Sequence, residues 1–234
     1  MPTKPLNLPA SIDLAQFVSV QAHDLRSPFN QSVGFSKIML NGQDGALTDL
    51  QREDLTTIYR SSLRALTLMN GLIDIARLGR SEKSACPATF AWATILEQAA
   101  TQWKKFNGGR RVEIDTTVED QKPVFTADEV QLKQIIGGLM TLVAEFIADP
   151  GRIAVRVDYE PEWCVVTVSS EGPKAQLPST LDCDLFGFVS SELIKLNRGQ
   201  IRPALETEAG AIVCFALPNV DAAADEGSAG IAAC

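Results

Sequence analysis

Hydrophobic and polar positions recur at helical spacing from about residue 11 to residue 80, and the pattern becomes mixed after residue 83. Ser11 is the expected N-cap of a first helix running to about Leu40. The stretch NGQDGALT, residues 41–48, reads as a turn. Thr48 or Asp49 then caps a second helix, with Gln51 and Glu53 in its first turn. Along it, Leu55, Ile58, Ser62, Ala65, Met69, Leu72 and Ala76 form one row, and Tyr59, Leu63, Leu66 and Ile73 an adjacent one. One row satisfies a two-helix hairpin; two rows are wider than a single neighbouring helix covers. The surplus belongs either to a copy of the hairpin, giving a four-helix bundle, or to the rest of the chain.

GRSEKSACPATFAW, residues 79–92, reads as a linker. Beyond it, Ala93–Phe106 predicts a helix and RVEIDTT a strand. An amphipathic helix follows from Ala127, weakened by Gly137 and Gly138. RIAVRVDYE alternates as a strand, and EWCVVTVSS, GQIRPAL and GAIVCFALP are further strands, with a helix near Leu185–Leu196 among them. The fold class is therefore α+β: a helical hairpin, then an α/β sandwich with its helices on one sheet face. The expected divisions are a tail at 1–10, the hairpin at 11–82, the sandwich at 83–218 and a small, polar, disordered tail at 219–234.

Composition narrows the partners. A net charge of -8 argues against nucleic acid and against an anionic membrane surface. No run of about 18 apolar residues predicts a transmembrane helix, and MPTKPLNLPASIDL lacks the order of a signal peptide. Cys86, Cys164, Cys183, Cys214 and Cys234 are scattered, with no C-x-x-C pair, so neither a zinc site nor a disulfide framework is indicated. A reducing cytoplasm is the expected compartment.

The chain has one histidine, His23, within QAHDLRSPFNQ. At about 100° per residue, Leu14, Val18, Ala22, Leu25 and Phe29 share a stripe, and His23 falls nearly opposite Leu25, beside Gln16, Ser19, Ser27 and Asn30. The imidazole is thus expected on a polar, exposed face, where a histidine can also be idle. Pro28 interrupts the hydrogen bonding of the helix at a cost of about 3 kcal/mol, which predicts a bend next to His23. Asp24 brings a carboxylate able to orient an imidazole tautomer, and Ser27 a hydroxyl one turn on. Together they form a candidate nucleophile site.

FVSVQAHDLRSPFNQSVGFSKIML resembles the H-box helix of two-component sensor histidine kinases, roughly F-x-x-x-x-S/A-H-D/E-L-R-T/S-P-L/F-x. LTDLQREDLTTIYRSSLRALTLMNGLIDIARL is similar to the family's partner helix. The resemblance implies that His23 is the phosphoacceptor and Asp24 its acid/base partner. Ser27 stands where the family's Thr or Asn orients water for dephosphorylating a response regulator. It also implies an antiparallel hairpin that dimerises into a four-helix bundle. The second half resembles the family's ATP-binding domain in layout, with departures. Leu142 stands at the Mg²⁺-binding Asn of the N-box, and Glu145 at a basic position. Ser170 stands at the adenine-reading Asp of D-x-G-x-G, where Gly172 survives and Lys174 replaces the second glycine. The glycine-rich lid has become Asp184-Leu185-Phe186-Gly187.

An ATP site of this type needs a metal ligand, an acceptor for the adenine amino group and a backbone that closes over phosphates. The departures remove all three, so no cofactor is expected on this chain and ATP is not expected to bind. The expected function is a phosphorelay phosphotransferase. In it, a homodimer exchanges a phosphoryl group between His23 and a response-regulator receiver domain, which supplies its own Mg²⁺. Two other readings stand beside it: an active sensor kinase with a divergent ATP site, and a non-catalytic dimeric module that docks a response regulator.

Overall fold

The computed structural model describes residues 13–43, 45–107, 109–119, 124–176, 178–202 and 204–219. The chain divides into two compact units between Lys83 and Ser84. Ser11, expected to cap the first helix, and residues 220–234 of the expected tail lie outside the described residues.

In the first unit, α1 (Leu14–Val20) is capped by Asp13, whose carboxylate accepts the Gln16 N–H at 3.0 Å. Helix α2 (Ala22–Leu40) carries His23, and α3 (Asp49–Gly79) returns beside it. Thr48 and Gln51 form a reciprocal capping box at the start of α3, as the T-x-x-Q spacing allows.

The helix expected to be continuous is interrupted once, two residues before His23. Pro28 sits inside α2, and the interruption is at Gln21 (φ -85°, ψ 13°). The carbonyl that loses its donor to the proline belongs to Asp24, an exposed residue, so water can take that carbonyl and the helix need not break there.

Residues after α3 fold back on α1. Ser19 donates to Glu82, Arg80 Nε donates to Glu82 Oε1 at 2.5 Å, and Arg80 reaches Asp13 at 3.6 Å. The Ser19 hydroxyl and then Arg80 lower the pKa of the Glu82 carboxyl. Glu82 N–H also reaches the Arg77 carbonyl, and Ser81 N–H the Leu78 carbonyl, at 2.9 and 3.0 Å. These are the two bonds of a Schellman cap, with exposed Ser81 at φ 55° in the position that favours glycine. Ser81→Gly is therefore expected to stabilise this unit by about 1 kcal/mol. Urea unfolding followed by circular dichroism checks it, and a loss of stability would contradict the strain.

The two apolar rows of α3 separate in part: Leu63 and Ile73 of the second row are buried, and Ile58 and Leu72 of the first are each 50% exposed, although Ala76 of the first is buried too. Phe17, Phe35, Ile38, Met39 and Leu50 are exposed as well.

The second unit begins earlier than its sequence suggests. Ala88–Ala91, expected as linker, is β1, paired antiparallel with β3 (Val124–Ala127), a strand the sequence pattern does not announce. Both are four residues long, too short to show alternation. Phe90, Trp92 and Phe125 hold them, with ring centroids 5.4–6.1 Å apart. Helix α4 (Trp92–Phe106) and β2 (Val112–Val118) follow, then α5 (Glu129–Ala144), β4 (Gly151–Tyr159) and β5 (Trp163–Glu171). Helix α6 (Thr180–Leu196) starts at Thr180, not near Leu185, because Ser179 caps it by accepting the Asp182 N–H. GQIRPAL is split into β6 (Gln200–Ile201) and β7 (Leu205–Thr207), both pairing with β8 (Gly210–Pro218).

The main sheet runs β2-β4-β5-β8-β6, with β7 also on β8. Its β2–β4 pair is parallel, and the other pairs are antiparallel. Ile153, Val155 and Val157 of β4, Val166 and Val168 of β5, and Val213 and Phe215 of β8 are buried, as are Leu132, Ile135, Ile136, Leu139 and Val143 of α5. Gly138 permits close approach of α5 and α6, since a Cβ there would lie 2.7 Å from Ser190 Oγ. Asn219, expected in the tail, is buried and donates to the Glu160 carbonyl at 2.8 Å, so the fold reaches at least that residue.

Candidate functional site

His23 lies in the first turn of α2 with its side chain 92% exposed. Its Nδ1 is 3.2 Å from Oδ1 of the exposed Asp24 carboxylate. An Nδ1–H donated to that carboxylate fixes the tautomer, leaving the Nε2 lone pair pointing outward as the available nucleophile. One turn on, Ser27 Oγ accepts from Gln31 Nε2 at a long 3.5 Å, so its hydroxyl proton is available. Arg26, which sequence reasoning passed over, donates from Nε to Asn70 Oδ1 of α3 at 2.6 Å. The signal was present: Asn70 is an isolated amide within the apolar run LTLMNGLI.

The second candidate region joins the end of α5 to β5 and α6. Leu142 is buried, and a Cβ on Gly187 would sit 3.4 Å from its Cδ1, so the leucine packs at the α5–α6 contact. Ser170 is buried too. Its hydroxyl donates to the Val143 carbonyl at 2.7 Å and accepts the Ala211 N–H at 3.1 Å. Gly172 donates its N–H to the Ala209 carbonyl, and a Cβ on it would come within 3.1 Å of Gly151 Cα. Glu145 accepts the Ser179 N–H at 3.0 Å, and Lys174 pairs with Glu206 at 2.6 Å. Asp184 is exposed in the second turn of α6, so the stretch Asp184–Gly187 is helix and not a lid loop. Leu142, Ser170 and Gly187 thus come together around the end of α5, each engaged in packing or internal hydrogen bonds.

A separate depression of about 690 Å³ lies beside Arg110, Arg111, Arg152, Glu113 and Glu171. Arg110 is committed to Asp149 and to the carbonyls of Ala144 and Ile147. The Arg111 N–H, then the Arg110 guanidinium, hold the Asp149 carboxyl below the usual range. Among the described residues, no helix is long and apolar enough to cross a membrane.

Residues 13–81, which hold the exposed His23–Asp24 pair, match the His Kinase A (phospho-acceptor) domain. This match and the relatives below make the chain similar to two-component histidine kinases. The circadian input-output histidine kinase CikA of Synechococcus elongatus is 26% identical over 173 residues, 73% of this chain and 23% of that protein. The cell-division control histidine kinase PdhS of Brucella anthropi is 28% identical over 161 residues, 67% of this chain and 15% of that protein. The chain therefore spans less than a quarter of the length of these histidine kinases. Among solved structures, full-length ShkA in complex with AMPPNP superposes with a TM-score of 0.64 at 22% identity, over 88% of this chain and 46% of that one. The histidine kinase AdeS of Acinetobacter baumannii gives 0.56 at 12% identity, over 84% of this chain and 98% of that one. The fold is that of the family: a helical phosphoacceptor region followed by an α/β domain of the histidine kinase ATP-binding type.

Proposed function

We propose that this chain is a dimeric phosphotransfer protein that exchanges a phosphoryl group between His23 and a receiver-domain aspartate, without using ATP. The observation that carries this reading is a contrast. The His23–Asp24 pair is open and within hydrogen-bonding distance, whereas the positions that the resemblance assigns to a nucleotide are filled by their own packing. Leu142 offers no ligand to Mg²⁺, the Ser170 hydroxyl is consumed on both sides, and a helix stands where a lid would close. These residues do not fit ATP.

In the forward step, His23 Nε2 attacks the phosphorus of the aspartyl phosphate in line. The P–O bond to the carboxylate breaks as the P–N bond forms, and the carboxylate departs with its electron pair. The Nδ1 proton stays on the ring, and Asp24 stabilises the resulting phosphoimidazolium. The transition state demands mainly positioning and charge stabilisation, and the receiver brings its own Mg²⁺. Ser27 lies where a hydroxyl can orient water for the competing hydrolysis.

Calorimetry with Mg-ATP tests the nucleotide half of the proposal. No binding is expected, whereas a micromolar Kd would favour an active kinase, the reading supported by the likeness to the histidine kinases CikA and PdhS.

The half-exposed Ile58 and Leu72, with Phe35 and Ile38, support association with a second copy, since a lone hairpin leaves them in water. Leu72→Asp is expected to raise the dimer dissociation constant about 100-fold by placing an unpaired carboxylate in that interface. Light scattering checks it, and a monomeric wild type at micromolar concentration would contradict the dimer.

A further inference from the structure

Arg26 follows His23 by three residues on α2, so their Cβ atoms are about 5–6 Å apart on neighbouring positions of one helix face. His23 is fully open, while Arg26 is only partly exposed because its side chain crosses to α3. The crossing is made by Nε alone, donating to Asn70 Oδ1 at 2.6 Å. A guanidinium has five N–H donors in a rigid fork. Anchoring it at Nε spends one of them and leaves the end-on edge, Nη1 and Nη2, intact. Among the described residues that edge has no further partner.

A fixed guanidinium with a free bidentate edge, one helical turn from a nucleophile, has the chemistry of a phosphoryl clamp. A phosphoryl group in transfer carries its charge on three equatorial oxygens. Asp24 cannot help those oxygens, because a carboxylate repels them, and Ser27 offers a single proton.

We infer that Arg26, held in place by Asn70, binds the phosphoryl oxygens during transfer to and from His23. Arg26 is thereby a catalytic residue and Asn70 a positioning residue that sets the guanidinium before the partner arrives. The inference rests on the phosphotransfer reading above. It adds no bond to that step: the P–O bond still breaks and the P–N bond to Nε2 still forms, while two N–H groups of Arg26 neutralise the oxygens throughout.

The test uses the full chain, a phosphorylated receiver domain as donor, and saturation kinetics of His23 labelling. Arg26→Gln is expected to slow the maximal transfer rate about 100-fold while leaving the KM for the receiver within about twofold, the pattern of an interaction made in the transition state. Arg26→Lys should recover about tenfold of that loss by restoring charge without the fork. Millimolar guanidinium should partly rescue Arg26→Ala, which a purely structural role would not permit. Asn70→Ala, with Arg26 present but unanchored, should lose about tenfold in the maximal rate. A maximal rate for Arg26→Gln within twofold of wild type overturns the inference and leaves the phosphotransfer reading standing. If Arg26→Gln does not fold, Asn70→Ala decides: a slower maximal rate at unchanged KM supports the clamp, and an unchanged rate overturns it. Absence of label on wild-type His23 overturns the phosphotransfer reading, and the clamp with it.

Discussion

His23→Gln is expected to abolish acid-labile phosphate on this chain, a loss on the order of 1,000-fold or more, when it is incubated with a phosphorylated receiver domain. The chain has no second histidine to substitute for it. A glutamine amide keeps much of the shape but has no lone pair basic enough to attack phosphorus. The fold should not notice the change: the imidazole is 92% exposed, and its one hydrogen bond goes to Asp24, itself 78% exposed. Stability should therefore stay within about 0.5 kcal/mol of wild type, which urea unfolding measures. Asp24→Asn is expected to be milder, slowing transfer about 10- to 100-fold, because the amide can still orient the ring but cannot stabilise the imidazolium. Ser27→Ala should leave transfer intact and alter only hydrolysis.

The second large effect lies in the other unit. Ser170→Asp would place a carboxylate where the family resemblance expects the adenine-reading Asp, yet it is expected to destabilise the protein by about 2–4 kcal/mol without creating an ATP site. Ser170 Oγ donates to the Val143 carbonyl and accepts from Ala211 N–H. A carboxylate could keep the second bond but would turn an oxygen toward the carbonyl, with no donor for it. Nor is there spare room: a Cβ on the facing Gly210 would already lie 2.8 Å from Ser170 Oγ. The new charge would be buried, since Ser170 is only 6% exposed. A variant that bound Mg-ATP tightly and kept wild-type stability would show that this region is still an open nucleotide pocket.

Much of this was legible in the chain itself. The long helices and the strands β4, β5 and β8 carry enough repeats for their periods to be counted, and the H-box run identifies His23 with its neighbours. The misses have physical causes. Strands β1 and β3 are held by an aromatic cluster formed between segments far apart in sequence, so neither has a local signal. Gln21, not Pro28, interrupts the first helix, because a proline on a wet helix face leaves its orphaned carbonyl to water. The early start of α6 could have been found from Ser179, since S-T-L-D is a capping pattern. Ser170 illustrates the limit of reading by register. Alignment marks it as a weakened adenine contact, but only the structure reveals that its hydroxyl is engaged on both sides.

The source of the phosphate on His23 tests the central proposal most directly. The full chain is incubated in parallel with γ-labelled Mg-ATP and with a receiver domain labelled on its aspartate, and acid-labile label on the chain is then measured. Label acquired from the receiver and none from ATP is the expected result. Label acquired from ATP, lost in His23→Gln, would contradict it and make this chain a kinase.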